Sequence, residues 1–354
     1  MKRSKPIYVE TIIRTDMETL WNHTQRPELH RQWDLRFTDI TYLPRATPEA
    51  PQTFAYATRI GFGLAIAGTG ESRTAMYTKS GERLSTLVFR SGQPLSLISR
   101  VTGYWRYVPP KRDRKARAAN APEEASADGS MDGNDGGSDH RSDNRSDHRS
   151  AGNGNEGVRF ITQFDYRPRF GPLGRLFDRF AFRPLFGYAT AWSFDALRLW
   201  IEAGIPPRAA LRQAVVHYAC AGTLACLWLA QGLLPKLLFP DAGELAILAA
   251  TGWIPAGCEP LAAQLLGLGE AGLGLATLPL HRRGRFLAAQ APLLLLLAGL
   301  GAAGDPALLR SPFNPALLGA GMAALSLAAA LTARELPDAG RCLRAPRPKG
   351  GRAR

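Results

Sequence analysis

The sequence predicts an α+β domain followed by an all-α bundle of four transmembrane helices, and three observations carry that prediction. Residues 213–336 are mostly Leu, Ala and Gly, whereas the polar residues gather in the first 210 positions and in the tail. Within the polar half, β-branched runs separated by Gly, Pro and Ser-Gly breaks are followed by a long helical pattern. Within the apolar half, four segments reach the length of about 20 residues that covers the hydrocarbon core of a bilayer. A chain of 354 residues has room for about two such domains. Its mean hydropathy of -0.15 averages two unlike halves.

The elements of the polar half follow in order. IYVETIIR, residues 7–14, reads as a strand. Thr15 and Glu18 have the spacing of a capping box, which opens a helix through Leu20 and Trp21. A second short helix is expected from Pro27 to Trp33. From 37 to 107 the pattern is an antiparallel meander, FTDITYL, QTFAYATRI, LAIAGTGESRTAMYTK, RLSTLVFR and LSLISRVTGYWRYV, with breaks at Pro44, Gly61, Gly63, Gly81 and Gly92. Residues 111–157 carry almost no large apolar side chain and three successive SDHR-like repeats, so they are expected to be a disordered hairpin-loop insertion. His140 and His148 within it are read as parts of the repeat rather than as a metal tract.

The sheet resumes with VRFITQFDYRP at 158–168, and a helical region follows from about 172 to 203. Its first part places Arg175, Arg179 and Arg183 four apart among Leu176, Phe177, Phe180 and Phe186, with Pro184 expected to kink or break it. That stripe suits either an interfacial helix on acidic lipid headgroups or a helix packed on the sheet with solvated arginines. Its second part, ATAWSFDALRLWIEAG, stops at Gly204 before Pro206-Pro207.

This order of elements resembles the START-like superfamily, also called SRPBCC and including polyketide cyclases. LWNHTQRPELHRQWD, residues 20–34, is similar to the family's helix-loop segment ending in Trp-Asp, and ATAWSFDALRLWIEAG is similar to its closing helix. The resemblance spans residues 6–203 apart from the insertion, within a domain taken as 1–205. It implies a helix-grip fold with an apolar tunnel for a lipid, quinone or polyketide-like molecule. The candidate lining residues are Trp33, Tyr56, Arg59, Glu71, Arg73, Tyr77, Arg90, Trp105 and Gln163, chosen as aromatic or polar residues in strand-rich segments. No Ser-His-Asp pattern accompanies them, and no reaction is assigned.

In the apolar half, spans are expected at 213–234, 258–280, 286–304 and 314–333, with the domain running from 206 to 336 and a basic disordered tail from 337 to 354. Residues 245–255 are too short to cross and read as an interfacial or re-entrant helix. Twelve Lys and Arg flank the spans on one side and two, Lys236 and Arg310, on the other. The positive-inside rule then puts both termini in the cytoplasm, at an inner cell membrane. The N-terminus, MKRSKPIYVETIIR, has no apolar core of a secretory signal.

Three segments, QGLLPK (231–236) with the following Glu244, GLGE (267–270) and SPFNP (311–315), together resemble the DoxX-like family of small four-span membrane proteins. The wider DoxX group includes subunits of quinone-dependent sulfur oxidation, which makes a quinone the cofactor that the likeness admits. Glu270 lies near the middle of the second span, where an acid normally faces a bundle interior and marks a functional path. Such an acid is expected to be neutral unless a cation is near it. Gly267, Gly269, Gly272 and Gly274 are expected to let a neighbouring helix approach it. Thr223, Gln231, Gln264 and Gln290 are its candidate hydrogen-bond partners. Lys236, Glu244 and Asn314 are read as outer-edge polar residues, and His217 and His281 as isolated.

The net charge of +14 and pI near 10.1 raise the question of nucleic acid, but no reading element accompanies the charge, so none is expected as a partner. The four cysteines lack zinc spacing, and no metal is expected. The expected function is a membrane protein that binds a hydrophobic small molecule and contacts membrane lipids. The alternatives are a quinone-linked oxidoreductase subunit using Glu270 as proton acceptor, and a scaffold with a membrane-protein partner.

Overall fold

The computed structural model describes residues 5–45, 47, 50–61, 64–77, 80–110, 157–310 and 314–346. They form two units, Met1–Gly204 with Asp338–Arg354, and Ile205–Pro337. Of the expected insertion at 111–157, residues 111–156, with His140 and His148, lie outside the described residues.

The first unit begins with β1 (Ile7–Ile13), α1 (Met17–Gln25) and α2 (Pro27–Trp33). The strands β2 (Asp39–Tyr42), β3 (Gln52–Gly61), β4 (Leu64–Tyr77), β5 (Glu82–Arg90), β6 (Ile98–Val108) and β7 (Val158–Pro168) complete an antiparallel sheet of seven strands in the order β1-β7-β6-β5-β4-β3-β2. Strands β2 to β6 are the predicted meander. Val108 of β6 pairs with Arg159 of β7, so the insertion falls between two hydrogen-bonded neighbours, where extra chain adds little closure entropy. The cap of α1 differs from the predicted Thr15 box: Asp16 accepts from Thr19 N at 2.8 Å and from Thr19 Oγ1 at 2.6 Å. Asp16 takes both Thr19 bonds because its carboxylate has two oxygens, and Glu18 pairs instead with Arg83.

A continuous helical run follows, made of α3 (Gly171–Phe177), a π turn (Asp178–Phe182) and α4 (Arg183–Ala203). Pro184 does not break it. Proline would clash with the carbonyl four residues back, and widening the preceding turn to π geometry relieves that contact. From Thr190 to Leu197 every α4 residue is buried. Phe194 stacks on Phe160 of β7 at 4.4 Å, and Trp33 meets Phe194 edge-on at 5.9 Å.

The Trp-Asp pair has a structural use. Trp33 is 1% exposed and donates through Nε1 to His23 O at 2.9 Å. Asp34, also buried, accepts from Arg36 Nη2 at 2.6 Å and Nε at 2.8 Å, and from His30 Nε2 at 3.0 Å. Burial alone would raise Asp34, yet the Arg36 guanidinium and the His30 ring hold its carboxyl well below the usual carboxylate range. Burial lowers His30 below its ordinary value against the opposing pull of Asp34.

The expected disordered tail is ordered where it is described. Asp338 N donates to Asp195 Oδ2 at 2.8 Å, Cys342 Sγ donates to Ala191 O at 3.3 Å, and Leu343 exchanges two 2.9 Å backbone bonds with Glu10. Composition hid this, because the arginines mask two residues, Ala339 and Cys342, that are buried. Burial pushes the Cys342 thiol up to about 12.

The second unit contains α5 (Pro207–Gly232), which continues as a π turn through Leu238, then α6 (Glu244–Ala250), α7 (Glu259–Leu280), α8 (Gly284–Gly304) and α9 (Pro315–Thr332). Among the described residues four helical segments, 207–238 and α7 to α9, are long and apolar enough to cross a membrane. Leu224, Trp228, Leu287, Leu294 and Met322 form its core. The predicted short segment at 245–255 overlaps α6, which begins one residue earlier and stops at Ala250.

Candidate functional site

The site begins with a packing constraint between α5 and α7. A Cβ added at Gly232 would lie 2.5 Å from Gly267 O, and one added at Gly267 would lie 2.8 Å from Gly232 O. The two helices therefore touch backbone to backbone, as small residues allow in membrane packing. Gly274 makes a like contact with Ala225 O at 2.9 Å, whereas Gly269 and Gly272 meet nothing within 4 Å. Only two of the four expected glycines serve the contact, because a helical face recurs every three to four residues.

Immediately after Gly232, Pro235 sits in the π turn Leu233–Leu238. Proline lacks the N–H for the next helical bond, and the widened turn carries Lys236 to a buried position. Lys236 Nζ lies 3.2 Å from Glu270 Oε2 and 3.1 Å from Glu244 Oε1. Glu244 is the first residue of α6, where a helix N-terminus favours negative charge. The sequence reads Lys236 and Glu244 as outer-edge polar residues, and makes the charge on Glu270 conditional on a nearby cation. The fold merges them into one cluster of a cation between two carboxylates.

The cluster borders a cavity of about 550 Å³. Gln231, Lys236, Glu244 and Glu270 supply polar groups, while Leu294, Leu297, Ala298, Leu318 and Met322 supply apolar wall. That volume lies within the roughly 300–1,000 Å³ of small-molecule sites, and the few polar groups on an apolar lining match their usual make-up.

Other expected partners lie elsewhere. Gln264 and Thr223 are exposed on the helix surfaces and do not line the cavity. Gln290 accepts from Trp228 Nε1 at 2.7 Å and donates to Thr277 Oγ1 at 3.3 Å, a buried cross-link of three helices. Asn314 is a helix cap, its Oδ1 accepting from Ala316 N at 2.9 Å and its Nδ2 donating to Leu309 O at 2.9 Å. Residues 311–313 of the SPFNP motif lie outside the described residues.

The histidines read as isolated in fact meet. His217, fully buried, places Nδ1 3.0 Å from Ala329 O and Nε2 3.1 Å from His281 Nδ1. A carbonyl only accepts, so in the neutral pair His217 Nδ1 carries the proton and His281 Nδ1 donates to His217 Nε2. No sequence signal joins positions 64 apart.

Of the nine residues expected to line a cavity in the first unit, eight have described side chains, and these divide among the aromatic core, a hydrogen bond between strands and exposed positions. Trp33 and Trp105 belong to the aromatic core, 6.1 Å apart. Tyr56 packs on Phe37 at 5.5 Å and Phe89 at 5.7 Å. Gln163 accepts from Tyr104 Oη at 3.2 Å, and Arg59, Glu71, Arg73 and Arg90 are exposed. The Tyr77 side chain lies outside the described residues. The rings of Trp33, Trp105, Tyr107, Phe160 and Phe194 occupy the space between sheet and α4.

Comparison with known proteins bears on the second unit most directly. Residues 225–327 match the DoxX-like family, a segment that contains Gln231, Lys236, Glu244 and Glu270. The chain is 40% identical over 230 residues to the uncharacterised membrane protein YndG of Bacillus subtilis (strain 168), covering 65% of this chain and 69% of that relative. The likeness thus extends beyond the DoxX-like segment. No solved structure matches the chain.

Proposed function

The chain belongs to the membrane-protein family of Bacillus subtilis YndG and carries a DoxX-like domain, and from that premise we propose that it binds an amphipathic small molecule within its four-helix unit. The observation that carries the reading is the 550 Å³ cavity bordered by Lys236, Glu244 and Glu270. Its apolar wall takes a hydrocarbon or ring system, and the ion cluster takes the polar head. One cation between two carboxylates offers both donors and acceptors, so the head is a hydroxyl, carbonyl or amine group. This moves ligand selection from the first unit, where the sequence suggested it, to the second.

The first unit, in the same proposal, is a START-like helix-grip domain. Its support is the order strand, two helices, antiparallel meander and long closing helix, with α4 buried on the sheet. The proposed location is the inner cell membrane with both termini cytoplasmic. The charge asymmetry supports this, and so does the pairing of Leu343 with Glu10. Chain segments before and after the spans join one folded unit, which requires an even number of crossings.

A second reading, a quinone-linked oxidoreductase subunit, is favoured by Lys236. Its ammonium is the donor that a quinone carbonyl needs, and Gln231 adds an amide. A bound quinone would supply two-electron chemistry there; the residues of this chain hold and orient it. The scaffold alternative would show as stoichiometric co-purification of a membrane protein.

The test is mass spectrometry of organic extracts from protein purified in mild detergent. The proposal expects a lipophilic molecule in stoichiometric amount, lost in Lys236→Met and Glu270→Gln variants that still fold. Extracts holding nothing beyond bulk phospholipid, or retention unchanged in both variants, would refute it. A quinone in the extract selects the second reading.

A further inference from the structure

The helical run that follows β7 is apolar on two faces, and only one of them is used. On the inner face Tyr166 Oη donates to Asp178 Oδ1 at 2.6 Å, and Arg183 Nε pairs with Asp178 Oδ2 at 3.0 Å while lying over the Tyr166 ring at 4.5 Å. Phe182 and Phe186 stack on each other and meet Tyr166 and Phe164. A Cβ at Gly174 would lie 1.7 Å from Arg169 O, so this end of the helix is seated on the chain before it. These contacts hold the run against the sheet.

The outer face is Leu173, Leu176, Phe177, Phe180 and Leu185, each between 53 and 74% exposed. Leu173, Leu176, Phe177 and Phe180 follow the i, i+3, i+4, i+7 spacing of one helix face, and the π turn at Asp178–Phe182, which adds a residue to its turn, brings Leu185 round towards it. Five large apolar side chains on one exposed helix face form a patch of the kind that marks an interaction site. The charges beside it have one sign. Arg175 and Arg179 are exposed, and the acid Asp178 is buried beneath the helix against Arg183. The Arg179 guanidinium lies over the Phe180 ring at 5.5 Å, so a cation sits against the apolar face itself.

We infer that residues 171–185 are an in-plane anchor that inserts into the headgroup boundary of an anionic lipid bilayer. The apolar face enters the acyl boundary and Arg175 and Arg179 meet phosphate, the arrangement by which amphipathic helices lie in an interface. A protein partner would need acidic groups around an apolar groove, whereas the bilayer of a membrane protein offers both at a site the chain already occupies. Of the two uses that the arginine stripe suggested in the sequence, the exposure of the leucines and phenylalanines selects this one. The packed face is the other side of the same helix.

The experiment places a nitroxide at Phe180→Cys in the full chain with its native cysteines replaced by alanine, reconstituted in vesicles of phosphatidylethanolamine and phosphatidylglycerol. Leu173→Cys repeats the measurement two turns away. The expected result is a label more accessible to oxygen than to a water-soluble nickel chelate, at a depth just below the phosphates. Arg175→Glu with Arg179→Glu should shift the label several-fold towards water, and phosphatidylcholine alone should do the same in part. A label open to the nickel reagent in anionic vesicles overturns the proposal. So does a label shielded from both reagents, or one showing dipolar broadening from a second copy, since either means that protein covers the face.

Discussion

Lys236 Nζ stands 3.2 Å from Glu270 Oε2, although the two residues lie on different helices and each carries a charge that bilayer depth disfavours. The approach exists because Gly232 and Gly267 let α5 and α7 touch, and because the π turn at Pro235 redirects the lysine. Each of those causes can be altered separately.

Removing one partner leaves the others uncompensated. Lys236→Met brings Glu244 and Glu270 together without their cation, and losing one member of a buried pair costs about 3–5 kcal/mol. The unfolding temperature in detergent should fall clearly for Lys236→Met, and adding Glu270→Gln should recover part of the loss. A double variant less stable than the single one would show that the two residues act independently.

The glycines divide in the same way. Gly267→Ala forces a methyl to 2.8 Å from Gly232 O, and overpacking of this kind costs about 1–3 kcal/mol. Gly269→Ala meets open space and should be neutral or gain up to about 1 kcal/mol from helix propensity. Thermal unfolding of the two variants side by side checks the contrast.

The first unit should lose stability in acid. His30, lowered by burial, and Asp34, held low by Arg36, both bind fewer protons folded than unfolded. Stability is therefore full above the ordinary histidine value of 6.5, declines as pH falls below it, and declines further below the ordinary aspartate value of 3.8. Asp34→Asn lessens the second decline, leaving the part that Asp16 contributes, and lowers stability at neutral pH by leaving Arg36 unpaired. Denaturant midpoints followed from pH 8 to about pH 3 check both limbs.

Thiol chemistry reads the proposed orientation. Cys258 is exposed beside the start of α7, in the loop assigned to the outer side, whereas Cys342 is buried with its thiol pushed up to about 12. A membrane-impermeant maleimide should label Cys258 in intact cells and leave Cys342 unlabelled until denaturation. Labelling of Cys258 only after the cells are opened would reverse the orientation.

The strands and the four apolar segments were legible because each is a local pattern: alternation on a pleated strand, or a run as long as the bilayer is thick. Glu270 stood out for the same reason, as a charge inside such a run. Its partners were not legible. Gln264 lies six residues from Glu270 yet faces away, and Lys236, read as an outer-edge residue, is the one that reaches it, because a π turn shifts the facing of the residues that follow.

Residue types and their periods were enough to say that this chain has a mixed α+β half, four helices of membrane length and an acid in the second of them. Periods say nothing about depth of contact between helices, nor about which rings fill a core. The ion cluster, the cavity beside it, the His217–His281 pair and the filled space under α4 all depend on side chains distant in sequence, and their positions follow from backbone contacts that only folding creates.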